Sequence, residues 1–414
     1  MMDREVDYDV VVVGAGMVGS MLAAVLATQS NLKIAVLERQ LPDPFLPASS
    51  PEYDIRVSAL SIATQRLFER VGAWQGVLDR RACVYRQMLV WDGEEAGQTH
   101  FKAQDIGADA LGHIVENRVV QLALLDRIAE LDNVNLLCPM HLHSYNEEPE
   151  CLNLNLRASD ADTDAPRTVT TRLLIGADGA RSSVRELAGI TMQRDAYEHH
   201  ALVATVETED KQQDITWQRF MPTGPQALLP LCGSRASMVW YHNADEVARL
   251  KELDDDEFIS AMLEHFPSRL GGIRSVINRG SFPIVKAHAE SYISERLALV
   301  GDAAHTVHPL AGQGVNLGML DAASLGELLV DAALMRQDIG SRRLLRRYER
   351  WRRGDNAIMI SVLDGFYHAF KPQPEPFRKI RSAALRLADN AKPMKHYVMR
   401  YAMGTAGDLP RFVR

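Results

Sequence analysis

The chain has 414 residues, of which 46% are hydrophobic and 24% charged, a composition that excludes disordered and fibrous proteins and leaves room for two intertwined domains and a tail. Its formal net charge of −8 is unevenly spread: residues 342–414 carry 17 Lys and Arg against 6 Asp and Glu, so this segment is +11 and the remaining chain −19. The acidic body repels phosphate, which excludes nucleic acid as a partner, whereas the basic segment indicates contact with an anionic membrane or protein surface or, alternatively, a solvated helical face.

The cysteines are too widely spaced for a metal site or a disulfide framework. No two of them form a CxxC pair, so we expect reduced thiols and no metal ion; they are Cys83, Cys138, Cys151 and Cys232. The acidic start of the chain lacks the apolar segment of a signal peptide. We therefore expect a cytoplasmic protein, with peripheral contact at the inner membrane as an option.

Hydrophobic spacing predicts strands and helices that change character along the chain. The first part contains, in chain order, strand 8–13, helix 17–27, strand 33–37, loop 40–51, helices 58–71 and 116–131, strands 134–138, 141–144 and 152–157, hairpin loop 159–167 and strand 172–175. A separate antiparallel sheet is predicted from strands 201–206, 216–221, 227–231 and 237–241. Helix 254–266, strand 296–300, and helices 315–335 and 344–370 follow, with a proline-rich break at 371–376.

Residues 10–32 contain no charged side chain, which is long enough for a membrane span. The glycines within this run argue against a span, because Gly14, Gly16 and Gly19 have the GxGxxG spacing at a predicted turn from strand to helix.

This first glycine motif predicts a dinucleotide site. Gly14 permits a tight turn, Gly16 lets backbone N–H groups approach a pyrophosphate, and Gly19 lets the helix pack closely on the strand. Glu38 ends the next predicted strand, where its carboxylate can accept hydrogen bonds from ribose hydroxyls. The alternative is a glycine-rich turn without a ligand.

A late segment, residues 300–318, predicts that the dinucleotide carries a flavin. Asp302 follows a predicted strand and can accept from a sugar-like hydroxyl chain. Gly312 and Gly314 precede a helix whose free N–H groups favour an anion, and a reduced flavin is anionic at its N1 side. The alternative is an ordinary turn in which Asp302 caps a helix.

These motifs resemble the para-hydroxybenzoate-hydroxylase group of flavin monooxygenases and, within it, the ubiquinone-biosynthesis hydroxylases. The resemblance covers almost the whole chain; the segments that carry it are 54–60, 112–117, 173–180, 298–318, 402–404 and 408–410.

The resemblance implies an α/β fold: a Rossmann-like FAD-binding domain of the glutathione-reductase type with an inserted antiparallel β-sheet domain for the substrate. The implied FAD-binding domain comprises 1–80, 114–195 and 286–340, the substrate domain 81–113 and 196–285, and a helical C-terminal region 341–414. FAD-contacting positions implied by the resemblance are Gly14, Gly16, Gly19, Glu38, Arg39, Arg56, Arg118, Gln121, Asp178, Gly179, Asp302, Pro309, Gly312, Gln313, Gly314, Val315 and Asn316. For Arg56 and Arg118, surface ion pairs are the alternative.

The implied reaction uses NADH or NADPH as a transient electron donor and O2 as co-substrate. Reduced flavin forms a C4a-hydroperoxide, whose distal oxygen is attacked by an electron-rich phenol ring. No protein nucleophile or metal is needed. The only candidates for a catalytic base are His305 and His308, and for both of them packing in the core is the alternative.

The implied substrate is a polyprenylated phenol or quinol, bound by apolar residues of the inserted sheet or, alternatively, merely flanked by their core packing; the candidates are Trp217, Phe220, Leu229 and Trp240. Residues 197–206 favour hydroxylation at C5 of an octaprenylphenol, which we prefer, whereas residues 216–222 favour C6 of a methoxy-benzoquinol. An FAD-dependent prenyl reductase and a non-catalytic FAD-bearing subunit of a ubiquinone-biosynthesis complex are further alternatives.

Overall fold

The computed structural model describes residues 5–45, 52–159, 167–266, 271–308 and 312–414. The predicted loop 40–51 and hairpin loop 159–167 therefore lie partly outside the described residues.

The first sheet has a parallel centre. Its strands are β1 (Tyr8–Val13), β2 (Ile34–Leu37), β8 (Val134–Leu137), β9 (Met140–Glu147), β10 (Leu152–Ala158), β11 (Arg167–Gly176), β17 (Ile293–Ser294) and β18 (Leu297–Leu299). The order is β17-β18-β11-β1-β2-β8, and β10 and β9 extend antiparallel from β11. Val10, Val11 and Val12 of β1 are fully buried between parallel neighbours, as their continuous β-branched run predicts.

Helices α1 (Met17–Gln29), α4 (Asn117–Ala129) and α8 (Gln313–Leu334) pack with this sheet into the largest core. Helix α1 is buried from Gly19 to Ala27, so its uncharged sequence belongs to the protein interior. The predicted helices 17–27, 116–131 and 315–335 are thus confirmed, with ends shifted by a few residues.

The second sheet runs in the order β19-β16-β12-β15-β14-β13-β5-β6. Its strands are β5 (Gln87–Asp92), β6 (Gln98–Lys102), β12 (Met192–Thr208), β13 (Ile215–Met221), β14 (Gly224–Leu231), β15 (Arg235–Asn243), β16 (Ile273–Ala289) and β19 (His305–Thr306). The predicted strands between 201 and 241 all belong to it. Strand β13 pairs in parallel with β5.

One face of the second sheet is covered by α6 (Ala244–Glu252) and α7 (Asp255–His265). Helix α7 begins at a capping box, in which the Asp254 side chain accepts from the Glu257 amide and Glu257 accepts from the Asp254 amide. The predicted helix 254–266 is therefore confirmed.

A third, small sheet corrects one prediction. Strands β3 (Val57–Ser61), β7 (Gly112–Glu116) and β4 (Cys83–Tyr85) pair in the order β3-β7-β4. The predicted helix 58–71 is therefore wrong at its start, since α2 spans Ile62–Val71. Ser61 ends the strand and caps the helix by accepting a hydrogen bond from the Thr64 amide, so the helix cannot begin earlier. Two short helices, α3 (Trp74–Leu78) and α5 (Ser183–Leu187), complete this part.

The C-terminal region is helical: α9 (Arg342–Ala369), α10 (Glu375–Asn390) and α11 (Lys392–Ala402). Helix α9 joins the two large sheets. Near its start the Tyr348 hydroxyl donates to the Leu299 carbonyl at 2.8 Å, and near its end Asp364 accepts from Tyr197 at 2.8 Å and from Lys286 at 3.1 Å. Among the described helices, none has the length and apolarity needed to cross a membrane.

Candidate active site

Three glycine-rich segments lie at one edge of the first sheet. Strand β1 leads into Gly14, β11 into Asp178, and β18 into Gly301. Because β18, β11 and β1 are adjacent and parallel, their carboxyl ends meet. Open α/β sheets bind ligands at that edge. The fold therefore brings together the first glycine motif, segment 173–180 and segment 300–318, hereafter the first, second and third motifs.

The first two motifs touch through their backbones. A Cβ atom at Gly14 would lie 2.5 Å from the Ala177 carbonyl oxygen, and Gly14 has φ of +104°, which favours glycine. Gly19 is equally crowded, by the Gly14 carbonyl. Larger residues at Gly14 or Gly19 would push the motifs apart.

Gly16 is open instead. Among the described residues, no atom lies within 4 Å of a Cβ atom built at this position. Gly16 is the N-cap of α1, no side chain caps this helix, and its first turn contains no acidic residue. The N–H groups of the first turn of α1 are thus left for an anionic group such as a pyrophosphate.

Glu38 and Gln121 support this turn from both sides. Glu38 Oε2 accepts from the Ala15 amide at 2.7 Å, and Gln121 Nε2 donates to the Ala15 carbonyl at 2.9 Å. Glu38 Oε1 accepts from the Arg39 amide at 2.7 Å. Glu38 Oε1 also accepts from the Gln40 amide at 3.3 Å. Gln121 therefore positions the turn, while Glu38 Oε2 keeps a lone pair for a ribose hydroxyl.

A network of hydrogen bonds between buried side chains supports the third motif. Asp321 of α8 accepts from the Gly301 amide at 3.1 Å, from His305 Nε2 at 2.5 Å and from Arg352 Nε at 2.8 Å. Asn356 donates to the same carboxylate at 3.1 Å. Burial acts to raise the pKa of Asp321, but His305 and Arg352 outweigh it and lower this pKa to about 2.

Asp302, unlike Asp321, is not buried. Its side chain is exposed although its neighbours Gly301 and Ala303 are buried. Desolvation by the surrounding protein raises the pKa of Asp302, and the nearby His305 and Arg56 only partly counter this effect. Asp302 therefore presents a carboxylate at the edge of the sheet where the three motifs meet.

Helix α8 presents a second open N-terminus. Its N-cap is Gly312, with φ of +62°; among the side chains that the structure describes, none caps this helix, and its first turn has no acidic residue. A Cβ atom at Gly312 would lie 3.1 Å from the Ala59 nitrogen, so α8 abuts strand β3 closely. The dipole of this 22-residue helix favours negative charge at this end.

Asn316 locks that contact. Its Oδ1 accepts from the Ser61 amide at 2.9 Å and from the Thr64 hydroxyl at 2.8 Å, and its Nδ2 donates to the Ala59 carbonyl at 2.8 Å. The Asn316 side chain thus positions α8. Gly314 and Val315 lie half-buried in the first turn, whereas Pro309 and the Gln313 side chain lie outside the described residues.

Asp178 has a comparable positioning role. Its carboxylate accepts from the Ser182 hydroxyl at 2.5 Å and from the Ser183 amide at 2.7 Å, so it holds the start of α5. Gly179 beside it has φ of +79° and open space above it. Arg185, which the sequence analysis did not identify, ties this motif to the third one by donating to the Ala303 carbonyl at 3.0 Å.

The predicted arginines differ in their surroundings. Arg56 is exposed, lies over the Phe282 ring at 5.5 Å, and is close enough to Asp302 to favour its carboxylate. Arg118 lies in the first turn of α4, and its buried Nε has no hydrogen-bond partner among the described residues. A buried guanidinium nitrogen of this kind fits an anionic ligand. Arg39 is exposed near the end of β2.

His308 lies in a box of aromatic rings. Its ring centroid is 5.6 Å from that of Tyr241, 4.8 Å from Tyr197 and 5.3 Å from Tyr367. Burial, and then the neighbouring His199, lower the pKa of His308 to about 4, so this imidazole is neutral at pH 7.

The four predicted substrate residues are not brought together. Trp217 and Trp240 lie in the cluster under α6 and α7, on the sheet face opposite Tyr241, which favours a packing role. Leu229 lies on the other face, beside β3 and β7. Phe220 stacks on Phe370 of the C-terminal region at 4.1 Å.

The sequence matches the family described as "FAD binding domain" over residues 7–359. It is 37% identical over 396 residues to 3-demethoxyubiquinol 3-hydroxylase of Escherichia coli K12, covering 96% of this chain and 98% of that protein. It is 36% identical over 409 residues to ubiquinone hydroxylase UbiL of Rhodospirillum rubrum, covering 98% and 92%. It is 32% identical over 440 residues to the mitochondrial ubiquinone biosynthesis monooxygenase COQ6 of Mus musculus, covering 95% and 90%.

Solved structures show the same fold. The p-nitrophenol 4-monooxygenase PnpA of Pseudomonas putida superimposes with a TM-score of 0.75 at 18% identity, covering 96% of this chain and 98% of that one. PqsL of Pseudomonas aeruginosa, a probable FAD-dependent monooxygenase, gives 0.73 at 22% identity, covering 91% and 99%.

Proposed function

The chain belongs to the FAD-binding-domain family and, within it, to the ubiquinone-biosynthesis hydroxylases, and on this premise we propose that it hydroxylates a polyprenylated demethoxy-benzoquinol. It is an FAD-dependent monooxygenase of the class that uses NAD(P)H and O2. The observation that carries the proposal is the meeting of three motifs around two uncapped helix N-termini.

The position of hydroxylation is revised. Residues 197–206 favour C5 of an octaprenylphenol, but the 37% identity to a 3-demethoxyubiquinol 3-hydroxylase, over almost both full lengths, supports the C6-type alternative better. A benzoquinol that already bears prenyl, methyl and methoxy groups has a single unsubstituted ring carbon. The chemistry of such a substrate therefore dictates where oxygen is added.

The residues present fit FAD. Gly16 and the first turn of α1 would take the pyrophosphate, Glu38 a ribose, Asp302 the ribityl chain, and the first turn of α8 the flavin ring. When bound, FAD accepts a hydride from NAD(P)H and delivers one oxygen atom of O2 to an electron-rich ring. Arg118, with its buried Nε, would provide a further contact to a phosphate.

His308 is the residue best suited to orient the quinol. A neutral imidazole with a pKa of about 4 is too weak a base to remove a phenolic proton, yet it can accept a hydrogen bond from a ring hydroxyl. His305 is unsuited, because its Nε2 is bound to Asp321 and its ring is buried behind Gly301. Surrounding tyrosine rings exclude water from this position.

A small surface pocket lies beside this box, on the side from which we propose that the isoprenoid tail approaches. It lies between the turn joining β13 to β14 and the end of α9, and its lining includes His199, Phe220, Tyr367, Phe370 and Lys371. Tyr367 lines the pocket, and its ring centroid lies 5.3 Å from that of His308, so this residue belongs to both the pocket and the aromatic box.

The pocket opens near an apolar surface that fits a bilayer. Large apolar side chains are exposed on all three C-terminal helices: Ile358, Val362 and Phe366 on α9, Phe377, Ile380 and Leu387 on α10, and Met394, Tyr397 and Val398 on α11. Acidic residues of this region are paired, Asp364 with Lys286 and Asp389 with Lys395. Exposed apolar groups among basic residues are typical of helices that lie on anionic lipid, from which a prenylated substrate would enter.

Vesicle flotation tests this surface. The double variant Ile380→Glu/Leu387→Glu is expected to lose most binding to vesicles that contain anionic phospholipid. Leu263→Glu, at an exposed position of α7 outside the C-terminal region, is the matched control and should bind like the unmodified protein. Equal flotation of both variants would contradict membrane docking.

Metabolite profiling of a deletion strain tests the ring position. Loss of the gene should cause a demethoxy-benzoquinol to accumulate, and the gene should restore ubiquinone to a strain that lacks 3-demethoxyubiquinol 3-hydroxylase. Accumulation of an octaprenylphenol would instead support hydroxylation at C5.

A further inference from the structure

Two cysteines that are far apart in sequence lie side by side. Cys83 begins β4, and Cys232 follows the last residue of β14. Cys83 packs in one apolar cluster with Leu231, the residue before Cys232, and Cys232 Sγ is 3.7 Å from the carbonyl oxygen of Ala82, the residue before Cys83. Both are partly exposed, unlike the buried Cys151.

The groups around the two sulfur atoms shift the pKa values of the two thiols in opposite directions. The hydrogen bond from Cys83 lowers the pKa of Cys232 to about 7, against the effect of burial, and Arg81 and Arg235 lower it further. The same hydrogen bond and burial raise the pKa of Cys83. Glu116 opposes the arginines, but it is itself paired with Arg81 at 2.9 Å. Cys232 is therefore the nucleophile of the pair at neutral pH, and Cys83 stays a protonated thiol.

We propose that Cys83 and Cys232 form a peroxide-responsive dithiol that closes to a disulfide. The Cys232 thiolate attacks hydrogen peroxide, the O–O bond breaks, and Cys232 sulfenic acid and hydroxide form. Cys83 then attacks this sulfur, an S–S bond forms and hydroxide leaves, taking up the Cys83 proton. Overall, two thiols lose two electrons and two protons, and one peroxide is reduced to two waters.

The oxidant is a by-product of this class of enzyme. A flavin monooxygenase that consumes NAD(P)H and O2 without hydroxylating its substrate releases hydrogen peroxide. Cys83 lies in a small apolar cluster with Ala59, and Ala59 is the residue that α8 meets at Gly312. A disulfide would tie β4 to the end of β14 and so stiffen the sheet against which the start of α8 rests.

Differential alkylation of the purified holoenzyme tests the proposal without any turnover. The enzyme is treated with hydrogen peroxide, free thiols are blocked, and peptides are mapped by mass spectrometry. We expect a peptide pair cross-linked between Cys83 and Cys232. Oxidation at Cys232 should proceed about tenfold faster than at Cys138, because a larger fraction of a thiol with lowered pKa is ionised.

Two variants separate the chemical roles. Cys83→Ser should halt the reaction at Cys232 sulfenic acid, which dimedone traps, whereas Cys232→Ser should leave Cys83 unreacted. Cys138→Ser is the control and should not change the cross-link. The proposal is overturned if Cys232 reacts no faster than Cys138, or if Cys83→Ser leaves no trappable sulfenic acid. Since peroxide is added, neither result depends on the substrate of the enzyme.

Discussion

Asp321 sits in the apolar helix α8 and joins three segments of the chain through one carboxylate. It accepts from the Gly301 amide, from His305 and from Arg352, and it is fully buried. Gly301 precedes Asp302, so the position of Asp302 depends on the buried charge of Asp321, which has no contact with solvent. Arg352 is 2% exposed, and thus a charged pair is buried behind the site.

Replacing Asp321 with Asn should destabilise the protein by about 3–5 kcal/mol, because the buried Arg352 then keeps only the partly exposed Asp355 as an ion-pair partner. Asp331→Asn on the same helix removes a surface ion pair with Arg411 and should cost less than about 1 kcal/mol. Denaturant unfolding measures both values. Similar losses in the two variants would refute the buried pair as a source of stability.

Replacing Arg118 tests whether this arginine contacts FAD. Arg118→Met keeps the apolar stem and removes the guanidinium, so the Kd for FAD should rise roughly tenfold to a hundredfold, the value of a hydrogen bond to a charged group. Arg86→Met, which removes a surface pair with Asp214, is the control. Fluorescence titration of the apoprotein gives both constants; an unchanged Kd in Arg118→Met would show that Arg118 does not contact FAD.

At the scale of single residues, some site residues could be predicted from the sequence and others could not. Gly14, Gly16 and Asp302 could be proposed as FAD contacts because a turn or a strand end requires those residue types. Asp321 had a signal too, since it is a charge within an apolar helix, but its partner Arg352 is one of 17 Lys and Arg in residues 342–414. Only the packing of α9 against α8 shows that Arg352, and not another of these basic residues, pairs with Asp321.

At the level of elements, helices α1 and α8 meet through glycine. A Cβ atom at Gly318 would lie 2.6 Å from a methyl group of Val18, and one at Gly301 would lie 3.2 Å from the same side chain. Val18 follows the open turn at Gly16, so this contact fixes the distance between the two helix N-termini that would hold FAD.

Gly318→Ala should therefore destabilise the protein by about 1–3 kcal/mol, because Val18 is stiff at χ1 and cannot withdraw. Val18→Ala in the same chain should recover most of that loss, which a double-mutant cycle by thermal unfolding reveals. Gly365→Ala in α9 is the control: its Cβ would meet nothing within 4 Å, so it should stabilise by up to about 1 kcal/mol. Additive effects of Gly318→Ala and Val18→Ala would contradict the contact.

Elements with a regular hydrophobic spacing or a continuous apolar run could be predicted from the sequence. Elements that depend on pairing with a neighbouring strand could not. Strand β1 and helix α7 carry their own signals. The strand β3 has helix-like spacing and is a strand only because β7 pairs with it. In the 17-residue β16, apolar and polar residues alternate too weakly for a strand to be predicted, and its pairing with β12 makes it a strand.

On the scale of the whole molecule, the two large sheets meet over a histidine-rich junction that responds to pH. Burial is the main cause that lowers the pKa of both His288 and His308 to about 4. His288 contacts the Tyr292 hydroxyl at 2.9 Å, and Tyr292 stacks on His305. Both histidines are therefore neutral in the folded protein over a pH range in which an unfolded chain takes up protons.

The free energy of unfolding should accordingly fall as pH decreases from about 6.5 to 4, by up to about 1.4 kcal/mol per pH unit for each histidine. The sign follows because the unfolded chain binds more protons than the folded one throughout this window. His288→Gln should flatten the slope, while His143→Gln at an exposed position should not. Denaturant unfolding at several pH values decides; an unchanged slope in His288→Gln would argue against burial of the neutral imidazole.

The most direct test of the account is oxygen-18 incorporation by the purified, FAD-loaded protein. With NAD(P)H, ¹⁸O2 and a short-chain demethoxy-benzoquinol, the product should gain one ¹⁸O atom at the unsubstituted ring carbon. Consumption of NAD(P)H that yields only peroxide or a reduced prenyl chain, or a purified chain that binds no FAD, would contradict it.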